Sequence, residues 1–435
     1  MTEPGEAIPF RAIREERPGP AWFALFEEAW PAYERWFLSE GDAARPSLER
    51  GRAELARHMP ELFPTYRELV ALVGGRELVA RFLAHYRPTP YLSGCSQVVW
   101  SRPEPFLVRN YDYHPDLWEA SLCYTAWNGT RVIAMSECLW GVLDGMNEHG
   151  LCVGLHQVSQ AAARPGLVCI LIVRVVLDQC ATTREAVALL RRIPHGLSFN
   201  YSLMDAGGHA AVVEASPAAV VVREGKELCC SNHFLSPTQQ AFNRRNPGSY
   251  RHLPVLERFS RERLPADRLF RALNDSLSAV FDHRYTTGSG TLHTIVCTPA
   301  ERRMQVGVGG DARPCSIDFA TWVAGGPLGL QALEGQLGGT AKPFDPGRRV
   351  FAKAAGGTAK VFIGTPLDNA LFKDLTLANA SFANVSLAGA RFDDVDFSNT
   401  VITSNCNFNG MQIAGVSVKE LLASHARRQT AERDR

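Results

Sequence analysis

Apolar and polar positions follow two different rhythms along this chain, and the change falls near residue 94. Between residues 21 and 38, Trp22, Phe23, Phe26, Trp30, Tyr33, Trp36 and Phe37 recur at helical spacing with Glu and Arg between them. The same period predicts helices over 47–59, 62–73 and 76–86, with Pro60, Pro88 and Pro90 as stops. Downstream the texture shortens to strands at 97–101, 105–113, 122–127, 131–136 and 151–156, punctuated by Gly, Asn and Asp. A helical pair at 167–180 and 183–191 follows, with Thr182 or Thr183 as N-cap ahead of Glu185. Strands return at 197–204, 211–214, 219–223 and 227–231, then helices at 250–261 and 266–276, then strands at 292–298 and 304–308. Two groups of strands with helical pairs between them predict an α+β sandwich of sheets covered by helices.

The ends of the chain read differently. Residues 1–18 are polar and rich in Pro, Glu and Arg, which predicts a loosely held start. Residues 324–360 carry Gly, Ala and Pro in the manner of a linker. Past Val361 a large apolar residue returns every fifth position: Phe372, Leu377, Phe382, Leu387, Phe392, Phe397 and Ile402, resuming after a one-residue slip at Phe408, Ile413 and Val418. Smaller apolar residues, Ala370 and Ala380 among them, lie two positions earlier. Such a period suits neither helix stripe nor alternating strand, but a coil that turns a corner every five residues. It resembles the pentapeptide-repeat family, which implies a short right-handed quadrilateral β-helix over 361–418, with 419–435 as helical cap and tail.

Charge narrows the partners. With 46 basic and 45 acidic residues the formal charge is +1, which gives no pull toward nucleic acid or membrane and favours a small-molecule substrate. Residues 361–418 hold five Asp against one Lys and one Arg, too little charge for a mimic of duplex DNA, so docking or self-association is the expected role of the coil. No apolar run of signal-peptide or membrane-spanning type occurs, so a cytoplasmic protein is expected. Eleven cysteines, most of them within apolar patterns, read as reduced core residues. There is no CxxC or HExxH, and neither a metal nor a cofactor is expected.

One cysteine stands apart. Cys95 follows Ser93-Gly94 where the helical texture stops. Cleavage of the Gly94–Cys95 bond would give it a free α-amine, a base of pKa ~7.7–8.0 on the same residue as the thiol nucleophile. A thiolate nucleophile needs a low pKa, an oriented amine and donors for an oxyanion. Arg109 and Asp112, in Arg109-Asn110-Tyr111-Asp112, are of the right types for the first two tasks. Three positions apart they face opposite sides of a regular strand, so a bulge or strand end is needed to bring both to one site.

Gly94-Cys95-Ser96, Arg109-Asn110-Tyr111-Asp112 and Gly145-Met146-Asn147-Glu148-His149-Gly150-Leu151 fall in a telling order. Met204-Asp205-Ala206-Gly207-Gly208, Val213-Glu214-Ala215-Ser216-Pro217 and Ser231-Asn232-His233-Phe234 continue it. This ordered set resembles the cysteine N-terminal-nucleophile (Ntn) hydrolases of the isopenicillin-N acyltransferase group, and more distantly bile-salt hydrolase and penicillin V acylase. The resemblance implies a four-layer αββα catalytic domain over 95–323 behind a helical pro-segment of residues 1–94. It implies Cys95 as nucleophile and self-cleavage site, Asp112 orienting the amine, Arg109 nearby, and Asn232 as the side-chain half of an oxyanion hole. Arg251, in Gly248-Ser249-Tyr250-Arg251, is the best match to a late site arginine; Tyr111, Asn147 and His156 are expected at the substrate pocket. His156 stands where the family carries Asn. His149 and His233 read as structural.

The function these readings imply is autoprocessing hydrolysis of a non-peptide linear amide, with the cleaved pro-segment retained. Acyl transfer from a thioester such as acyl-CoA to an amine is the alternative. A non-catalytic scaffold that displays the repeat coil is the second.

Overall fold

The computed structural model describes residues 7–87, 89, 94–158, 164–243, 247–285, 289–324, 334–337 and a scattered set between 387 and 433. The repeat coil expected over 361–418 lies mostly outside the described residues.

The first segment opens with two short strands, β1 (Ala7–Pro9) and β2 (Arg11–Glu15). Four helices follow: α1 (Pro20–Phe37), α2 (Leu48–His58), α3 (Phe63–Leu72) and α4 (Glu77–Leu83). The predicted aromatic stripe is the buried face of α1: Trp22, Phe26, Trp30, Tyr33 and Phe37 are all sealed from solvent. Polar anchors fix it as well. Trp22 Nε1 donates to Leu139 O at 2.9 Å, Tyr33 Oη donates to Glu119 Oε1 at 2.8 Å, and Trp140 Nε1 donates to Leu83 O at 3.0 Å. The expectation of a loose start is corrected for residues 7–15; residues 1–6 lie outside the described residues. β2 pairs in parallel with a later strand, because Arg11–Glu15 alternates and buries Ile13 in the core.

After Gly94 the chain builds two sheets. In order come β3 (Gly94–Trp100), β4 (Phe106–Tyr113), β5 (Ser121–Thr125), β6 (Val132–Glu137), β7 (Gly141–Asn147) and β8 (Cys152–Gln157). Helices α5 (Cys169–Gln179) and α6 (Thr183–Leu190) lead into β9 (Phe199–Met204), β10 (Ala210–Ala215), β11 (Val220–Glu224) and β12 (Glu227–Cys230). Then come α7 (Pro247–Arg261), α8 (Ala266–Asn274), β13 (His283–Arg284), β14 (Ser289–Thr298), β15 (Arg303–Val308) and β16 (Cys315–Asp318). One sheet runs β11-β10-β9-β8-β7-β6-β5-β2; the other runs β12-β3-β4-β14-β15-β16, with β13 on β14. The two sheets face each other where β3 and β4 pass β8 and β9, and where β12 passes β10. Helices α5 and α6 cover the outer side of the first sheet, α7 and α8 that of the second, so the layers run helix, sheet, sheet, helix.

This layering explains why most strands are buried at every position instead of alternating. It also explains why β7 goes unpredicted. Gly141-Val142-Leu143-Asp144-Gly145-Met146-Asn147 has no alternation to read, and both its faces are covered. α6 starts at the predicted capping box, Thr182 accepting from Glu185 N and Glu185 from Thr182 N.

A short helix α9 (Phe319–Val323) ends this part. Within the expected linker, β17 (Glu334–Gln336) pairs with β1 in a two-stranded sheet of their own, so that stretch is not linker throughout. A separate unit begins at Asn384. Its described part is a hairpin of β18 (Gln412–Ile413) and β19 (Val416–Ser417), followed by α10 (Val418–Arg433), which spans the predicted terminal helix. Among the described residues no helix is long and apolar enough to cross a membrane. None of their His, Cys, Asp and Glu side chains gather into a metal-holding group.

Candidate active site

Cys95 is the second residue of β3 and pairs across the strands with Tyr111 of β4. On the second sheet, one face of β4 meets the other sheet and the opposite face meets helices. Arg109 and Tyr111 take the inner face; Asn110, which donates to Leu273 O of α8 at 2.8 Å, and Asp112 take the outer one. The predicted opposition of Arg109 and Asp112 is therefore real, and no bulge in β4 removes it. Instead the start of β3 serves both faces: Arg109 meets the thiol, while Asp112 pairs with Gly94.

The inner face is a closed polar cluster. Arg109 Nη2 lies 3.1 Å from Cys95 Sγ, and the thiol reaches Leu155 O at 3.3 Å. The guanidinium also pairs with Asp144 of β7 through Nη1 and stacks 5.1 Å above the Tyr111 ring. Asp144 Oδ2 in turn lies 3.2 Å from His293 Nε2. Cys95, Arg109, Asp144 and His293 are all buried. Burial pushes the Cys95 thiol up, against the pull of the Arg109 charge. The thiol is thus held protonated, not activated as a ready nucleophile requires. His293 and His156 are both pushed well below the usual imidazole range by burial and then by Arg109, so both stay neutral.

The outer face holds Asp112. Its Oδ1 accepts from Thr291 Oγ1 at 2.6 Å, whereas its Oδ2 is buried without a partner. Burial raises its pKa to about 7, assisted by the charge of Asp282 and opposed by the Thr291 bond and by Arg109 and Arg284. The bulge that matters is in β14, between Thr291 and His293. Two residues apart, these would share a face in a regular strand; the extra residue sends Thr291 to Asp112 and His293 to Asp144. Two glycines make room for the cluster. A Cβ on Gly94 would fall 2.8 Å from Asp112 Oδ2, and one on Gly154 would fall 2.3 Å from Gln97 Oε1.

The backbone nitrogen of Cys95 has its own partner. It donates to Asn232 Oδ1 at 2.8 Å, and Asn232 Nδ2 donates to Gln157 O at 2.8 Å. So Asn232 reaches the site, with its amide turned to the nitrogen of Cys95.

Other sequence-derived assignments fare differently. Arg251 is exposed on α7 and is not brought to the site; its neighbour His252 is, with Nδ1 3.0 Å from Ser96 Oγ. A one-residue difference on a helix turns the side chain by ~100°. The late arginine near Asp112 is Arg284, which binds Asp282. Asn147 is not a pocket residue either. Its side chain donates to Leu177 O and Cys180 O and accepts from His149 N and Leu151 N, so it ties the β7–β8 turn to the end of α5. Tyr111 lies under Arg109 in the inner cluster, and His156 Nε2 meets Gln97 Oε1 at 2.7 Å. Asp144, His293 and Asp282 were not anticipated. For Asp144 one signal existed, a lone acid inside the apolar run Val142-Leu143-Asp144-Gly145-Met146.

Residues 100–313, just under half of the chain, match the family described as acyl-coenzyme A:6-aminopenicillanic acid acyl-transferase. The match begins downstream of Cys95. No curated protein matches the chain by sequence. Among solved structures, penicillin V acylase from Agrobacterium tumefaciens superimposes with 17% identity and a TM-score of 0.32, over 52% of this chain and 86% of that one. A mutant conjugated bile acid hydrolase from Clostridium perfringens does so with 13% identity and a TM-score of 0.37, over 53% and 93%. The Caenorhabditis elegans ortholog of N-acylethanolamine-hydrolyzing acid amidase gives 19% and 0.36, over 47% and 93%. By its family match, the chain carries an enzyme domain of the N-terminal-nucleophile hydrolase or acyltransferase type.

Proposed function

We propose that this chain is an autoprocessing N-terminal-cysteine amidohydrolase that cleaves a non-peptide linear amide through an acyl-enzyme. The observation that carries the reading is the double attention paid to Cys95. Arg109 lies at its sulfur and Asn232 at its backbone nitrogen, while the unpartnered Asp112 Oδ2 lies against Gly94. Any buried backbone N–H needs an acceptor; here the acceptor is the Asn232 side chain, not a sheet carbonyl, and it comes together with a guanidinium at the sulfur, as suits a nucleophile whose own amine is the base.

After the Gly94–Cys95 bond opens, the freed α-amine takes the thiol proton and Sγ attacks the substrate carbonyl. The collapsing intermediate receives that proton on its leaving nitrogen, and water resolves the thioester. Asn232 Nδ2, released from Gln157 O, and a backbone N–H near His156 hold the oxyanion, each such donor worth about 3–4 kcal/mol in the transition state. Loss of the peptide carbonyl also opens the site to water, which relieves the burial that now holds the thiol protonated.

A second reading, acyl transfer from a thioester such as acyl-CoA to an amine, is favoured by the name of the matching family. It differs only in whether an acceptor amine outcompetes water. Retention of the residue 1–94 segment after cleavage is supported by the Trp22, Tyr33 and Trp140 hydrogen bonds and by β2 in the sheet. The repeat coil is assigned to docking or self-association.

Intact mass of wild type and Cys95→Ala under denaturing conditions tests the reading. Two fragments meeting at Gly94–Cys95 in wild type, absent in the variant, are expected. A panel of amides and acyl thioesters, with and without an added amine, then separates hydrolysis from transfer. Turnover that survives Cys95→Ala would sink the catalytic assignment, and no turnover in either protein would favour a scaffold.

A further inference from the structure

The Gly94–Cys95 junction sits at the start of β3, and polar side chains converge on it from the outer face of the sheet. Asp112 Oδ2 is fully buried and without a partner, and the Cβ position of Gly94 is 2.8 Å from it and 3.2 Å from Ser289 Oγ. Ser289 Oγ donates to Asp282 Oδ2 at 3.2 Å. Asp282 is held in turn by Arg284, whose Nε lies 3.0 Å from both carboxylate oxygens. Thr291 joins the two acids: its Oγ1 donates to Asp112 Oδ1 at 2.6 Å and accepts from Asp282 N at 2.8 Å. Hydrolysis of an external amide, as described above, uses none of Asp282, Ser289 and Arg284. Ser289 stands beside the bond that must open first, Asp282 is bonded to Ser289, and Arg284 to Asp282.

Resting on the autoprocessing reading, we infer that Asp112 passes a proton to the nitrogen of the opening Gly94–Cys95 bond, and that Asp282 and Arg284 are positioning residues that govern this transfer. The step balances. Cys95 Sγ bonds to the Gly94 carbonyl carbon, the C–N bond breaks, and the Asp112 proton moves to the departing nitrogen. The thiol proton leaves to water, which re-protonates Asp112. Water then cleaves the Gly94 thioester, releasing the Gly94 carboxylate and returning a proton to sulfur. A partnerless carboxyl oxygen beside the bond is what such a donor requires, since an oxygen already engaged by a strong donor would hold no proton.

The charged groups around Asp112 set the expected pH behaviour. Asp282, just ahead of β13, disfavours its ionisation; Arg284 on β13 and Arg109 on its own strand favour it. Cys95 on β3 is neutral while buried, and His252 on α7, pushed down to about 4 chiefly by burial, is uncharged near neutrality. Removing Asp282 and removing Arg284 should therefore act in opposite directions.

The test uses full-length chain made by cell-free synthesis, with cleavage followed by intact mass across about pH 5 to 9. In Asp282→Asn the alkaline limb of the cleavage profile is expected to move down by about one pH unit, and in Arg284→Gln to move up by a similar amount. Asp282→Glu, which keeps the charge, should restore the wild-type limb; it also supplies the comparison if Asp282→Asn does not fold. General loosening of the site does not produce opposite shifts. A wild type that cleaves, with variants whose limbs stay fixed or move the same way, overturns this inference and leaves autoprocessing standing. A wild type that stays whole at every pH overturns the autoprocessing reading on which it rests.

Discussion

The two faces of β4 handle buried charge in opposite ways. On the inner face Arg109 is paired with Asp144, stacked on Tyr111 and bonded to Leu155 O, and neutral His293 lies beside the pair. Each face leaves one carboxylate oxygen without a partner, Asp144 Oδ1 on the inner and Asp112 Oδ2 on the outer, but Asp112 has no guanidinium bonded to it, and the charge of Asp282 raises its pKa further. The inner arrangement fixes geometry: a compensated ion pair has one low-energy position and little reason to move. The outer arrangement stores a protonation equilibrium near neutrality beside a peptide bond. One strand thus sets a clamp and a titrating group three positions apart on opposite faces.

The largest test of this contrast is Asp144→Ala. Arg109 would keep a buried, uncompensated charge, and stability is expected to fall by about 3–5 kcal/mol in denaturant unfolding. A stable Asp144→Ala protein would break the comparison. Next comes Asp112→Asn. Because the folded-state pKa is raised to about 7, the contribution of this carboxyl is complete below its unfolded value of ~3.9 and is lost as pH rises through the folded one. Relative to Asp112→Asn, wild type should therefore lose stability between those values, at up to about 1.4 kcal/mol per pH unit, in melting curves across pH.

Gly94→Ala sharpens the outer face. Its methyl group would fall 2.8 Å from the buried Asp112 Oδ2, so the carboxyl must shift: cleavage should slow by about tenfold or more, with stability falling by about 1–3 kcal/mol in denaturant unfolding. The smallest effect belongs to a control on neither face. Thr182→Ala removes the capping box of α6 and should cost about 1 kcal/mol with cleavage unchanged.

Much of this arrangement was legible as residue types before it was legible as geometry. Cys95, Arg109, Asp112 and Asn232 could be named because their order along the chain is distinctive, and all four meet at the start of β3. Asp144 and His293 could not. Asp144 sits in β7, whose double burial erases the alternation that announces a strand, and His293 owes its direction to a bulge that depends on one extra residue in β14. Arg251 fails for a local reason: on α7 the next residue along, His252, is the one turned to Ser96. Asn147 illustrates the converse. It is a buried Asn with every hydrogen bond committed to a turn and a helix end, and no pattern in the sequence distinguishes that from a pocket residue.

Under the proposed cleavage at Gly94–Cys95, the parallel pairing of β2 with β5 would have a further consequence. While Gly94 and Cys95 are joined, the tether keeps β2 and α1 at high effective concentration beside their binding surface. Were they separate, the same contacts would hold two polypeptides together, and folding would acquire the mass-action behaviour of a heterodimer. Dilution would then lower the melting temperature. Departure of the smaller polypeptide would leave β5 with an open hydrogen-bonding rim, the kind of surface on which chains aggregate.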